Sequence, residues 1–376
     1  MARSRVLTGI VAVLLVAAPA VYMIAAAPRR SAASSAGEAA LTAPLPEVIP
    51  PGTTLIVGDP TTQRVLEHTG WIKDVPFRIK WVQGTGGPAV TELFHAKALD
   101  IGAAADVPPI HARWVGIPTR IVAVALRQDP LNHPLFVFAT APHSNIQGLA
   151  DLRGKKIAFS PGQVQGEIVL RTLKAQGLTP RDVTLVELPS TGDVYLNALA
   201  GGGVDAAPIG AGVPARRYLA NFGKDGARLF HHSDDRDDLT DLYVREDVLR
   251  EPAKAAALAA YVKLWARASA WIQTHPDEWI ATYYVKNQGV TRDDGAYIVH
   301  ASGVREVPRD WRDAVNIEQA AIDLLSRQTG RKAFDAGSLF DRRFETIAAD
   351  AYAAGLARAG PPKVQLAAQP EGNATP

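Results

Sequence analysis

Short β-rich segments alternate with helix-type segments from Thr53 to Val244, and this restricts the fold more than any other feature of the chain. TLIVG ending at Gly58, FRIKWV (77–82), ALDIGAA (98–104), RIVAVAL (120–126) and PLFVFAT (134–140) read as strands. KKIAFS (155–160), VTLVEL (183–188), VDAAPI (204–209), ARLFHH (227–232) and LTDLYV (239–244) continue the series, with helices between most of them. Such alternation requires parallel or mixed sheets covered on both faces. From Glu246 the pattern is helical only, over 253–274, 276–287, 291–301, 309–326 and 338–358. Trp265, Trp271, Trp279, Tyr283 and Tyr284 recur there at near-helical spacing and read as packing side chains.

The reading is a two-lobed α/β protein. Residues 53–140 and 245–360 form lobe 1, residues 141–244 form lobe 2, and the C-terminal helices pack on the lobes. The chain is expected to cross near Thr140–Pro142 and to return near Tyr243. Two crossovers make a hinge with a cleft, and ligands of open α/β sheets sit beyond the carboxyl strand ends.

Net charge is +2, so there is no basic stripe for nucleic acid. The chain has no cysteine, which excludes disulfides, thiolate metal sites, a lipid-modified cysteine and a cysteine nucleophile. Arg3 and Arg5 precede an uncharged stretch, Val6–Ala27, that ends in three alanines. It reads as a signal peptide or as an N-terminal membrane anchor, and either places the body outside the cytoplasm, in the periplasm or on the outer face of the cell membrane. Residues 28–52 read as a flexible linker and 361–376 as a disordered tail.

DLRGKKIAFSPGQVQGEIVLRTLKAQGLTPRDVTLVELPSTGDVYLNALAGGGVDAAPI (151–209) resembles the solute-binding proteins of bacterial ABC importers for aliphatic sulfonates, taurine and nitrate. GTGGPAVTELFHAKALDIGAAADVPPIHARWVGIP (84–118) is similar to the same family. The resemblance implies a type II periplasmic-binding-protein fold, capture of a small organic anion such as a sulfonate, and delivery to a permease and its ATPase. A monomer without cofactor or metal is expected. The chain departs from the pattern at Ala207–Gly210, where relatives often carry an aromatic that walls the ligand.

Candidate ligand residues follow from the strand ends and the two glycine turns. They are Asp59, Thr61 and Gln63; Thr85, Gly86 and Gly87; Ala105 and Asp106; Ser160, Gly162, Gln163 and Val164; and Asp193 and Ile209. Backbone amides at a glycine turn that opens a helix suit an anionic head group. Asp106 and Asp193 also fit as helix N-caps. The alternative is an enzyme or sensory module reusing the clamp, but no G-x-S-x-G elbow occurs. His231, His232, Asp234, Asp235, Asp237 and Asp238 match no metal-site spacing and read as a solvated turn.

Overall fold

The computed structural model describes residues 39–83, 87–232 and 235–360. The N-terminal stretch read as a signal peptide or membrane anchor, the first part of the expected linker, Thr85, Gly86, Asp234 and the tail 361–376 lie outside the described residues.

Two mixed sheets form the framework. The first contains β1 (Thr54–Gly58), β2 (Arg78–Trp81), β3 (Ile101–Ala105), β4 (Thr119–Arg127), β10 (Thr240–Arg245) and β11 (Arg305–Glu306), in the order β11-β4-β10-β3-β1-β2. The second contains β5 (Phe136–Thr140), β6 (Lys156–Phe159), β7 (Thr184–Glu187), β8 (Ala206–Gly210) and β9 (Leu229–Phe230), in the order β7-β6-β8-β5-β9. β1 pairs in parallel with β2 and β3, and β6 with β7 and β8, so the carboxyl ends within each set share one edge. Helices α1 (Pro60–Thr69), α2 (Gly87–His95) and α3 (Val107–Trp114) follow β1, β2 and β3, whereas α4 (Val164–Ala175), α5 (Val194–Ala200) and α6 (Val213–Phe222) follow β6, β7 and β8.

Local chemistry sets the element ends. Asp59 caps α1 by accepting from the Thr62 N–H, Pro60 occupies the first turn, and Gly70 ends the helix in the left-handed region at φ 75°. β4 is an unbroken apolar run between Arg120 and Arg127, buried along its length as a strand in a sheet covered on both faces is.

Both crossings fall earlier than the sequence reading places them. PLFVFAT pairs with β8 and β9 in the second sheet, while LTDLYV pairs with β3 and β4 in the first. The connections are therefore 128–135 and 231–239. An apolar strand carries no local mark of the sheet it joins, since pairing is decided by distant partners.

The tail helices are α7 (Pro252–Thr274), α8 (Pro276–Trp279), α9 (Arg292–Ala301), α10 (Arg312–Thr329) and α11 (Ile347–Ala359). Leu258, Tyr261, Trp265, Trp311 and Tyr352 join the core of the first sheet. Residues 39–52 are not a free linker. Leu41, Leu45 and Ile49 pack on that core, and Arg343 donates to the carbonyls of Ala40 (2.7 Å) and Ala43 (2.9 Å). The lobes share one apolar cluster, in which Val107 of α3 and Leu324 and Leu325 of α10 meet Val164 and Ile168 of α4.

Candidate functional site

The two crossings are stitched together by carboxylates. Asp237 accepts from the backbone N–H groups of Leu135 and Phe136, both at 2.8 Å, and bonds His232 Nε2 at 2.9 Å. Asp238 accepts from the Arg127 N–H and pairs with Arg236 at 2.7 Å. His232, Asp237 and Asp238 are buried, so this part of the His/Asp run is not a solvated turn; burial is tolerated because polar neighbours satisfy each carboxylate. No metal-holding cluster occurs among the described residues.

Beside the crossings, at the carboxyl edge of the first sheet, lies a cavity of about 220 Å³. Two arginines face it. Arg127 ends β4 and Arg305 begins β11, and the antiparallel register sets them directly opposite each other. Neither makes an ion pair among the described residues. Arg127 Nη1 donates to the carbonyls of His133 (2.6 Å) and Pro134 (2.9 Å), while Arg305 Nη1 reaches Ser269 Oγ at 3.2 Å. Burial pushes the Arg127 guanidinium down to about 10, with Arg305 adding to the shift, and burial lowers Arg305 as well. Like charges opposed across a strand pair are destabilising, so the arrangement favours an anion between them.

The remaining walls come from three directions. Thr61 stands in the first turn of α1. Ser269 and Gln273 project from α7. Trp279, Tyr283 and Tyr284 come from α8 and the π-helical turn Ile280–Val285 that continues it. The wider turn brings two consecutive tyrosines to one cavity, where a regular helix would spread them by a full 100° step. Trp279 and Tyr283 stack with ring centroids 4.3 Å apart, and burial raises the Tyr283 hydroxyl above its ordinary value.

The predicted glycine turns meet across the lobes rather than in this cavity. A Cβ on Gly87 would collide with Gln163 Oε1 and the Pro108 ring. Gly162 holds φ 78°, and a Cβ there would enter the His111 ring. Each turn therefore approaches the opposite lobe as closely as glycine permits. Ser160 Oγ donates to the Leu188 carbonyl at 2.6 Å, next to this contact.

Of the other candidates, Thr61 lines the cavity. Asp59 is spent on the α1 cap and the Tyr261 hydroxyl (3.0 Å), and Gln63 donates to Glu67 at 2.7 Å. Ala105 is half-buried and pairs with Thr240. Asp106 is buried, bonds the Val107 N–H and faces Arg171 at 3.8 Å. Val164 and Ile209 are buried in apolar clusters, and Asp193 is exposed and makes no cap bond. Sequence reasoning missed Arg127, Arg305, Gln273 and the aromatic trio. Trp265 and Trp271 are core residues, as their spacing suggested, but Trp279, Tyr283 and Tyr284 also face the cavity.

The family description "NMT1/THI5 like" matches residues 65–278, more than half of the chain. The chain belongs to this family. A protein named for aliphatic sulfonate binding in Escherichia coli (strain K12) is 33% identical over 106 residues, 28% of this chain and 32% of that one. Its namesake in Bacillus subtilis (strain 168) is 26% identical over 225 residues, 57% of this chain and 63% of that one. The aligned parts thus span less than two thirds of these curated relatives. The alkanesulfonate-binding protein SsuA of Xanthomonas axonopodis pv. citri, solved with MOPS, superposes with TM-score 0.65 at 20% identity, covering 77% of this chain and 98% of that one. The NMT1/THI5-like chain therefore has the two-lobed periplasmic-binding-protein fold that its strand order and glycine turns imply. None of its described helices is long and apolar enough to cross a membrane.

Proposed function

We propose that this protein is an extracytoplasmic solute-binding protein that captures a small organic anion, an aliphatic sulfonate, taurine or a related compound, between its lobes and delivers it to an ABC importer. One observation carries the reading: Arg127 and Arg305 stand opposed in a half-enclosed cavity at the carboxyl strand edge, and among the described residues no carboxylate forms an ion pair with either guanidinium. A tetrahedral oxyanion offers each planar fork two acceptors and relieves the repulsion between the forks. Trp279, Tyr283 and Tyr284 supply the aromatic wall that Ala207–Gly210 does not. Arg127 also grips the first crossing, so a bound anion would be felt where the lobes hinge. The names of the relatives support this substrate class.

The test is thermal melting of the protein against alkanesulfonates of increasing length, taurine and small carboxylates. A bound anion raises the melting point by mass action, about 2.7 kcal/mol at a hundredfold excess over Kd. Stabilisation by one or more sulfonates is expected; no shift with any member of the panel would remove the reading.

A further inference from the structure

We propose that closing the two lobes takes up a proton into a buried carboxyl cluster that they share, so that closure weakens as pH rises through neutrality. The cluster lies where α3, α4, α10 and β10 meet. Its interlobe pair is Asp106, just ahead of α3 in the first lobe, and Glu167, on α4 in the second. Asp241 of β10 and Glu318 of α10 form a second carboxyl pair within the first lobe. All four carboxyl groups are essentially inaccessible to water.

A single guanidinium serves the interlobe pair. Arg171 contacts Glu167 Oε1 through Nη2 at 2.6 Å and Nε at 2.9 Å, lies 3.8 Å from Asp106, and donates to the Arg236 carbonyl at 2.7 Å. Arg171 offsets one charge of the Asp106–Glu167 pair, and Asp241 and Glu318 have no ion pair among the described residues, so full ionisation of all four would leave three uncompensated negative charges in a dry interface, which is prohibitive. Protons must therefore reside among them. Among the described residues, no N–H or O–H donor reaches the carboxyl oxygens of Asp241 and Glu318 or Glu167 Oε2. Glu167 faces Asp106 across the lobes and Glu318 faces Asp241, and a proton held by one carboxyl of each pair is what would let its oxygens be satisfied.

The two pairs respond differently to opening. Asp241 and Glu318 stay together in the first lobe, but Glu167 and Asp106 separate, because they belong to opposite lobes. Exposed to water, Glu167 returns to about 4.3 and releases its proton at neutral pH. In the closed form, burial first, and then the Asp106 charge, push it up to about 8. The sign follows from linkage: closure is favoured while Glu167 holds its proton in both forms, and is progressively lost as pH rises from the open value towards the closed one.

Neighbouring charges do not reverse this. Asp237 lies near Asp106 and acts in the same direction, while Asp235 supports Arg171. Lys174, Asp323 and Arg327 rim the solvent side, and Tyr243 of β10 has its hydroxyl raised far above neutrality. His111 of α3 packs on Gly162 across the same interface, and burial lowers it, so it is neutral above pH 6.5.

The absence of native cysteine permits a direct test on the full, ligand-free chain. Lys80→Cys on β2 and Glu187→Cys on β7 place dyes on exposed residues of the outermost strands of the two sheets. Single-molecule energy transfer then reads the open and closed populations from pH 6.5 to 8.5. One linked proton predicts that the open-to-closed ratio rises about tenfold per pH unit and flattens above pH 8. Glu167→Gln, which mimics the protonated acid, should stay closed across the range. Wild-type populations that do not change with pH would overturn the proposal, as would Glu167→Gln populations that follow the wild-type dependence. Because no ligand is used, this result is independent of whether the protein takes a sulfonate.

Discussion

Arg305→Met separates a binding arginine from a structural one. The substitution keeps an apolar stem of similar length and removes the charge. Arg305 gives up one bond, to Ser269 Oγ at 3.2 Å, and a distant contact with the Trp265 ring at 5.9 Å. Against that loss stands its repulsion with Arg127 across the β4–β11 pair. At the ~5 Å spacing of cross-strand neighbours and an effective dielectric of ~20, two unit charges repel by about 3 kcal/mol, an upper limit for flexible forks. Removing Arg305 should therefore leave the ligand-free melting point unchanged or raise it by a few degrees. The anion, in contrast, loses a charge-assisted hydrogen-bond partner worth about 1.5–3 kcal/mol, or roughly 10–150-fold in Kd. Melting without ligand, together with calorimetric titration of the most stabilising sulfonate, reads both quantities. A melting point more than about 5 °C lower, with unchanged affinity, would refute the reasoning and make Arg305 a packing residue.

Two further outcomes follow from the lobe contact and the crossings. Gly87→Asp drives a carboxylate into Gln163 and Pro108, so it should weaken sulfonate binding by more than about tenfold and enlarge the ligand-bound particle in solution scattering; unchanged affinity would detach that turn from closure. Asp237→Asn removes the charge that accepts from Leu135, Phe136 and His232 and should cost about 2–4 kcal/mol, lowering the melting point by several degrees; an unaltered melt would show that the crossings are held elsewhere.

Much of the framework was legible because it is written locally. The period-two and helical segments, the Asp59-Pro60 helix start and the glycine turns at Gly87 and Gly162 each carry their reason in neighbouring residues. The sheet membership of PLFVFAT and LTDLYV does not, since both are apolar strands that would satisfy either sheet. The binding candidates show the same division. Thr61 follows from its place after a strand, but Arg305 belongs to a two-residue strand too short to leave a periodic signal. Asp237 and Asp238 looked like solvated charges because sequence does not display burial.

The sequence by itself determined the alternation that yields two covered sheets, the turns that require glycine, and the exclusion of thiol chemistry by the lack of cysteine. Only the tertiary structure decided that Arg127 meets Arg305, that the π-turn tyrosines face them, and that Asp106 and Glu167 share a dry interface. The physical reason is that conformational preference acts between neighbours along the chain, whereas desolvation and charge pairing act between groups that become neighbours only when distant segments pack.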